Sequence, residues 1–227
     1  MDWTAAVDIY CERIGPGFWA EPVNALTNLA FPLAAAWAAA TALQRSIRDP
    51  IVWALIILAG LIGIGSFLFH SYATRWSELV DTVPIWGFVG LFIVAALRFL
   101  SGISAPGIML AGAGVMAGAG LVAFLATGEG PSGTDWANGS YQYAPALLAL
   151  LVFAAIAYRR RHPSAPWITL AVLVFAASLG FRTLDRDICA SFPQGTHFLW
   201  HLLNALVVGL LLQMLIRTGG FASHADR

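Results

Sequence analysis

The chain of 227 residues is 59% hydrophobic and only 11% charged, with a mean hydropathy of +0.76. That balance excludes an ordinary soluble domain and reads as a polytopic membrane protein. A formal net charge of zero, with no basic run beyond Arg159-Arg160-Arg161, argues against nucleic acid as a partner.

Residues 1–21 hold Asp2, Asp8, Glu12 and Glu21 where a cleaved signal would show a basic start and an apolar core. The expectation is an acidic, amphipathic segment that stays attached. Beyond it, apolar runs must reach about 20 residues to cross roughly 30 Å of hydrocarbon. Candidates in chain order are 22–44, 51–72, 79–99, 106–127, 142–158, 165–183 and 197–217. The connections between them, such as Ala73–Glu78, Gly128–Tyr141 and Leu184–Thr196, carry the Pro, Gly and charged residues of loops. The runs are continuously apolar and do not alternate, which argues against a β-barrel. The predicted fold is therefore an all-α membrane protein, a seven-transmembrane helix bundle over 22–217 with a short tail over 218–227. The fourth run is rich in Ala and Gly, which suits close helix packing. Most tryptophans fall near span ends, as interfacial anchors do, whereas Trp200 either lines a cleft or faces lipid.

Orientation follows from arginine. Arg45, Arg48, Arg98, Arg159, Arg160, Arg161, Arg217 and Arg227 fall on one side of such a bundle; Arg13, Arg75, Arg182 and Arg186 fall on the other. The positive-inside rule puts the first group in the cytoplasm, with the N-terminus outside and the C-terminus inside. A bacterial inner membrane, with the outer half facing the periplasm, is the expected location.

Chemistry is carried by polar residues that interrupt the apolar runs. His197-Phe-Leu-Trp-His201 places two imidazoles four residues apart, hence on one helix face. The second run ends Gly63-Ile-Gly-Ser66-Phe-Leu-Phe-His70, again with two polar residues four apart, and Asp81 lies near the start of the third run. Topology puts Ser66, His70, Asp81, His197 and His201 at one depth in the outer half. Ionisable residues at membrane depth usually mark a site. Three imidazoles suit zinc with one tetrahedral position left for water, which the metal makes acidic near neutral pH. Asp81 could then handle the proton and Ser66 could hydrogen-bond a carbonyl or oxyanion. Hydrolysis of an amide or ester with apolar tails fits these parts. Other readings stay open: packing histidines, a helix cap at Asp81, a haem, or a proton path. His162 and His224 fall on the opposite side.

Three blocks carry a resemblance: Tyr10-Cys11-Glu12 with Glu21-Pro-Val-Asn24; Gly65-Ser66-Phe-Leu-Phe-His70 followed by Glu78-Leu-Val-Asp81-Thr-Val-Pro84; and His197-Phe-Leu-Trp-His201. With these the sequence resembles the alkaline ceramidases, in a superfamily of seven-helix metal hydrolases shared with the adiponectin and progestin receptors. The resemblance implies that His70, His197 and His201 are zinc ligands, with Ser66 and Asp81 beside the metal. It also implies cleavage of a ceramide or related N-acyl lipid into fatty acid and sphingoid base, with the lipid bilayer supplying the substrate.

The resemblance further implies a calcium site in the N-terminal segment, to which Glu12 and Glu21 correspond. The family's Asp and Asn positions fall on Ile9 and Ile14, so Asp8 and Asn24 would have to stand in. It also supports a disulfide between Cys11 and Cys189, which the topology puts on the oxidising side; two separate buried thiols are the rival reading. The alternative to an enzyme is a seven-helix lipid receptor with a structural zinc.

Overall fold

The computed structural model describes residues 2–98 and 137–219. The predicted fourth span, 106–127, lies outside them, as do Glu129 and Asp135 of the connection that follows it. Among the described residues the chain is all α, apart from an isolated antiparallel bridge between Ala6 and Thr74. Its helices are α1 (Pro22–Thr27), α2 (Ala30–Gln44), α3 (Pro50–Tyr72), α4 (Arg75–Ala96), α5 (Ala144–Arg159), α6 (Ala165–Leu184) and α7 (His197–Thr218). Short 3-10 turns at Ser140–Tyr143 and Arg186–Ile188 precede α5 and follow α6. Taking α1 with α2 and the first turn with α5, six helical segments are long and apolar enough to cross a membrane.

Local sequence explains the ends. Asp49 caps α3 by accepting from the Ile51 amide at 2.8 Å, and Pro50 occupies the first turn, where its missing N–H costs nothing. The helix stops at Ala73, which takes a left-handed conformation with φ 45°. α4 begins at once, because Ser77 Oγ accepts from the Thr74 amide at 3.0 Å and closes a capping box. Arg75–Glu78, read from sequence as part of a connection, therefore form the first turn of α4. Hydropathy alone misses a polar first turn that is held by its cap.

The core lies around α7. In its apolar window 72% of residues are buried, against 28–44% for the other segments. α7 packs on α6 and α2, α3 packs on α4 and α2, and α5 lies against α6. Two glycines let α3 approach its neighbours closely. A Cβ at Gly63 would meet Pro32 Cδ at 2.5 Å and the Asn28 carbonyl at 2.8 Å. A Cβ at Gly65 would collide with the Val80 carbonyl and reach Asp81 Cα at 3.1 Å. Pro84 has no N–H to bind that Val80 carbonyl, so the helix is already open where α3 presses in.

At the far end of α7 the buried Gln213 is paired: its Nε2 donates to Thr41 Oγ1 at 3.0 Å, and Arg217 Nε donates to its Oε1 at 2.8 Å. At that same end Arg98 pairs with Asp49 at 3.8 Å. Tyr143 instead sits 4.7 Å from Trp200, at the histidine end. The close of α4 and the start of α5 are thus at opposite ends of the bundle.

Across the histidine end runs the N-terminal segment. Val7 N donates to the Ala73 carbonyl at 2.8 Å and Arg75 N to the Ala5 carbonyl at 3.1 Å, which pins it to the α3–α4 connection. The Cys11–Cys189 disulfide pins it to the connection before α7, with the two Cα atoms 5.3 Å apart.

Candidate active site

Two helices bring their imidazoles together here. The last turn of α3 carries His70 and the first two turns of α7 carry His197 and His201. Their relative exposures are 1%, 2% and 2%, and a ligand atom from each lies within 4.8 Å of the others. Each ring is fixed by a different partner. His70 Nδ1 meets Glu21 Oε2 at 2.6 Å; the carboxylate can only accept, so Nδ1 donates and Nε2 is the ring nitrogen left for an ion. His201 Nδ1 meets Thr27 Oγ1 at 3.0 Å. His197 stacks beneath Tyr10, with ring centroids 3.7 Å apart. Burial under this segment pushes the Tyr10 phenol pKa up.

His201 Nε2 and His197 Nδ1 are buried with no protein partner. An orphaned imidazole nitrogen in a dry interior needs an explanation, and two that converge with a third ring suit a metal ion. The three histidines can hold one.

Ser66 lies one turn before His70 on α3 and is buried. Its helix meets α4 at Asp81 through the close approach that Gly65 permits. Asp81 Oδ1 is buried without a partner. Beyond the polar cluster extends an apolar cavity lined by Ile62, Phe88, Tyr143, Phe175, Trp200 and Asn204, among others. Trp200 therefore faces the interior and not lipid.

A family model described as Ceramidase matches residues 4–219. The chain belongs to the ceramidase family. No curated protein matches it. Membership implies a hydrolase of the ceramide amide and a lipid substrate, in keeping with six membrane-length helices and an apolar cavity beside the histidines.

In this ceramidase-family chain the two carboxylates assigned to calcium, Glu12 and Glu21, have protein partners, while Asn24 Oδ1 is buried without one. Glu12 spends both oxygens on α1, accepting from Val23 N and Asn24 N at 2.7 Å each. Burial pushes its carboxyl pKa up, against the pull of those two amides. Glu21 accepts from Arg13 Nε at 2.5 Å and from Asn24 Nδ2 at 3.1 Å, besides binding His70. Burial penalises its charge, yet the hydrogen bond from His70 and the charge of Arg13 help hold the pKa below its usual value. Asp8 is exposed. Among the described residues, the three histidines are the one group of three or more His, Cys, Asp or Glu side chains close enough to share an ion. The Glu12 and Glu21 oxygens are thus already held by protein groups, where a calcium ion wants six to eight oxygens around it.

Several residues of the ceramidase-family site escape a reading of the sequence. Asp185, fully buried, accepts from Thr196 N at 2.7 Å, His197 N at 2.9 Å and Cys11 N at 3.2 Å, so it caps α7 and ties the N-terminal segment to it. Arg182, 5% exposed, donates to the Asn138 carbonyl and lies over Tyr143 and Trp200 at 5.4 and 5.6 Å. Both were readable as charges at the end of an apolar run, but their partners lie far along the chain. Thr27 gave no signal at all.

Proposed function

We propose that this protein is a zinc-dependent intramembrane amidase that hydrolyses ceramide or a related N-acyl lipid to a fatty acid and a sphingoid base or amine. The observation that carries this reading is the convergence of three buried imidazoles, two with orphaned nitrogens, with buried Ser66 one turn before His70 on α3. His70, His197 and His201 would hold the zinc, and a bound zinc supplies a Lewis acid and an acidified water near neutral pH. Asp81 accepts the proton of the attacking water at its free Oδ1 and returns it to the departing nitrogen. The Ser66 hydroxyl donates to the substrate oxygen as negative charge gathers there. Glu21 and Thr27 hold their imidazoles in place, and the apolar cavity lined by Phe88, Phe175 and Trp200 takes an acyl or sphingoid chain. Water enters as one equivalent per amide cleaved; no other co-reactant is required.

The domain organisation belongs to the same reading: an extracytoplasmic segment over 1–21, seven spans over 22–217 and a cytoplasmic tail over 218–227. The opposite placement of Arg98 and Tyr143 supports a seven-span chain. The arginine bias supports an outer, periplasmic position for the histidines in a bacterial inner membrane. Calcium is left out, because the oxygens of Glu12 and Glu21 already have protein partners.

The deciding experiment measures fatty acid release from ceramide by detergent-purified protein, before and after zinc removal and on zinc return. Release that needs zinc and vanishes in His201→Ala is the expected result. Full activity without that imidazole rules the mechanism out. Zinc-loaded protein that cleaves no N-acyl lipid in a panel points to the lipid-receptor alternative.

A further inference from the structure

Arg13 is the feature of this end of the molecule that the proposed chemistry does not use. Its side chain is 4% exposed although it is a guanidinium in a short surface-crossing segment. All three of its nitrogens are placed: Nε donates to Glu21 Oε1 at 2.5 Å, Nη1 to the Gly15 carbonyl at 3.0 Å and Nη2 to the His70 carbonyl at 2.8 Å. A buried cation of this kind persists only when its partners are well fixed, since desolvating it costs several kcal/mol. Its partners are the carboxylate that binds the His70 ring and the backbone of His70 itself. The guanidinium thus grips one residue at two points, at the carbonyl directly and at the imidazole through Glu21 Oε2.

The neighbouring positions make sense of this. Two of the positions where the family resemblance puts calcium-binding side chains hold Ile9 and Ile14, and Ile14 is 91% exposed. Neither can give an oxygen from its side chain. Calcium would draw Glu21 and backbone carbonyls around a positive centre; in this chain Arg13 already draws Glu21 and two carbonyls around one.

We infer that Arg13 is a built-in cation standing where relatives would use calcium: it locks Glu21 against His70 and thereby positions that imidazole for the metal. Arg13 is a positioning residue and touches no reacting atom. The inference rests on His70 being a metal ligand, as proposed above, for its effect on zinc, but its calcium arm stands without that. Because the cation is covalently part of the chain, calcium neither binds nor stabilises the protein.

The test uses the full-length, detergent-purified protein freed of calcium. Bound calcium is measured by equilibrium dialysis at millimolar calcium, and thermal unfolding is followed with and without that ion. Zinc affinity is measured by competition with a colorimetric zinc chelator for the unaltered protein, Arg13→Gln, Arg13→Lys and His70→Ala. The expected result is no calcium bound and no shift in unfolding midpoint for the unaltered protein. Arg13→Gln should bind zinc about 10–100-fold more weakly, as loss of a group supporting a metal ligand does, with Arg13→Lys recovering part of that loss. Calcium bound by the unaltered protein with a raised midpoint overturns the inference, even if the variants fail to fold. So does Arg13→Gln with unchanged zinc affinity. If His70→Ala also keeps its zinc, the fault lies in the choice of metal ligands, and the calcium measurement alone decides the role of Arg13.

Discussion

Asp81 sits where its two possible roles separate cleanly. It lies well inside α4, seven positions past Thr74, so it is not the cap of that helix; Thr74 and Ser77 do that work. Its Oδ1 is buried without a partner, and its backbone lies against Gly65, next to Ser66 on α3. Asp81→Asn keeps the shape and loses the proton acceptor. It should retain zinc at the unaltered stoichiometry, by metal analysis, while turnover on ceramide falls about 10²–10⁴-fold. Normal turnover in that variant leaves Asp81 with a packing role only. The residue scale also shows the limit of spacing arguments. His197 and His201 are legible as a pair because they share one helix, whereas Glu21 finds His70 from 49 positions away.

At the scale of elements, the α3–α4 pair brings Asp81 against the helix that carries Ser66 and His70. Gly65 has nothing but backbone against it: the Val80 carbonyl carbon at 3.0 Å and Asp81 Cα at 3.1 Å. A methyl group there cannot be accommodated by a rotamer change, so α4 must move. Gly65→Ala should therefore cost about 1–3 kcal/mol, read as a lower unfolding midpoint. It should also pull Asp81 from Ser66 and cut turnover while zinc stays bound. Equal loss of zinc and turnover would mean that the helix shift reaches His70 as well. The sequence shows Gly63-Ile-Gly65-Ser66 as a motif, but which neighbour each glycine admits is decided by packing: α1 and α2 for Gly63, α4 for Gly65.

For the whole molecule, the N-terminal segment acts as a strap over the histidines. Tyr10 covers His197, Glu12 caps α1, Arg13 grips His70, and Cys11 is bonded to a residue 178 positions later. Cutting that covalent tie frees a long loop in the unfolded chain. Cys11→Ser should cost about 2–5 kcal/mol of stability, measured as a drop in unfolding midpoint, and reduction of the unaltered protein should match it. Because Tyr10 and Arg13 flank the tie, zinc should also exchange faster in Cys11→Ser. An unchanged zinc exchange rate would make the disulfide a purely global staple.

What the sequence by itself determined follows from short-range periodicity and from hydropathy. Continuous apolar runs placed the six described spans within a few residues, because a segment in lipid must satisfy its own backbone hydrogen bonds and so declares its state locally. Four-residue spacing gave the shared faces of Ser66 with His70 and of His197 with His201. The histidines themselves stood out because polar side chains are costly at membrane depth. The tertiary structure decided which polar groups answer one another: Glu21 to His70 and Arg13, Thr27 to His201, Asp185 to the start of α7. It also placed Glu21 against the His70 imidazole. A carboxylate carries no local mark of its counter-charge; burial beside a particular cation is a property of how distant segments pack, and here that packing put a guanidinium next to it.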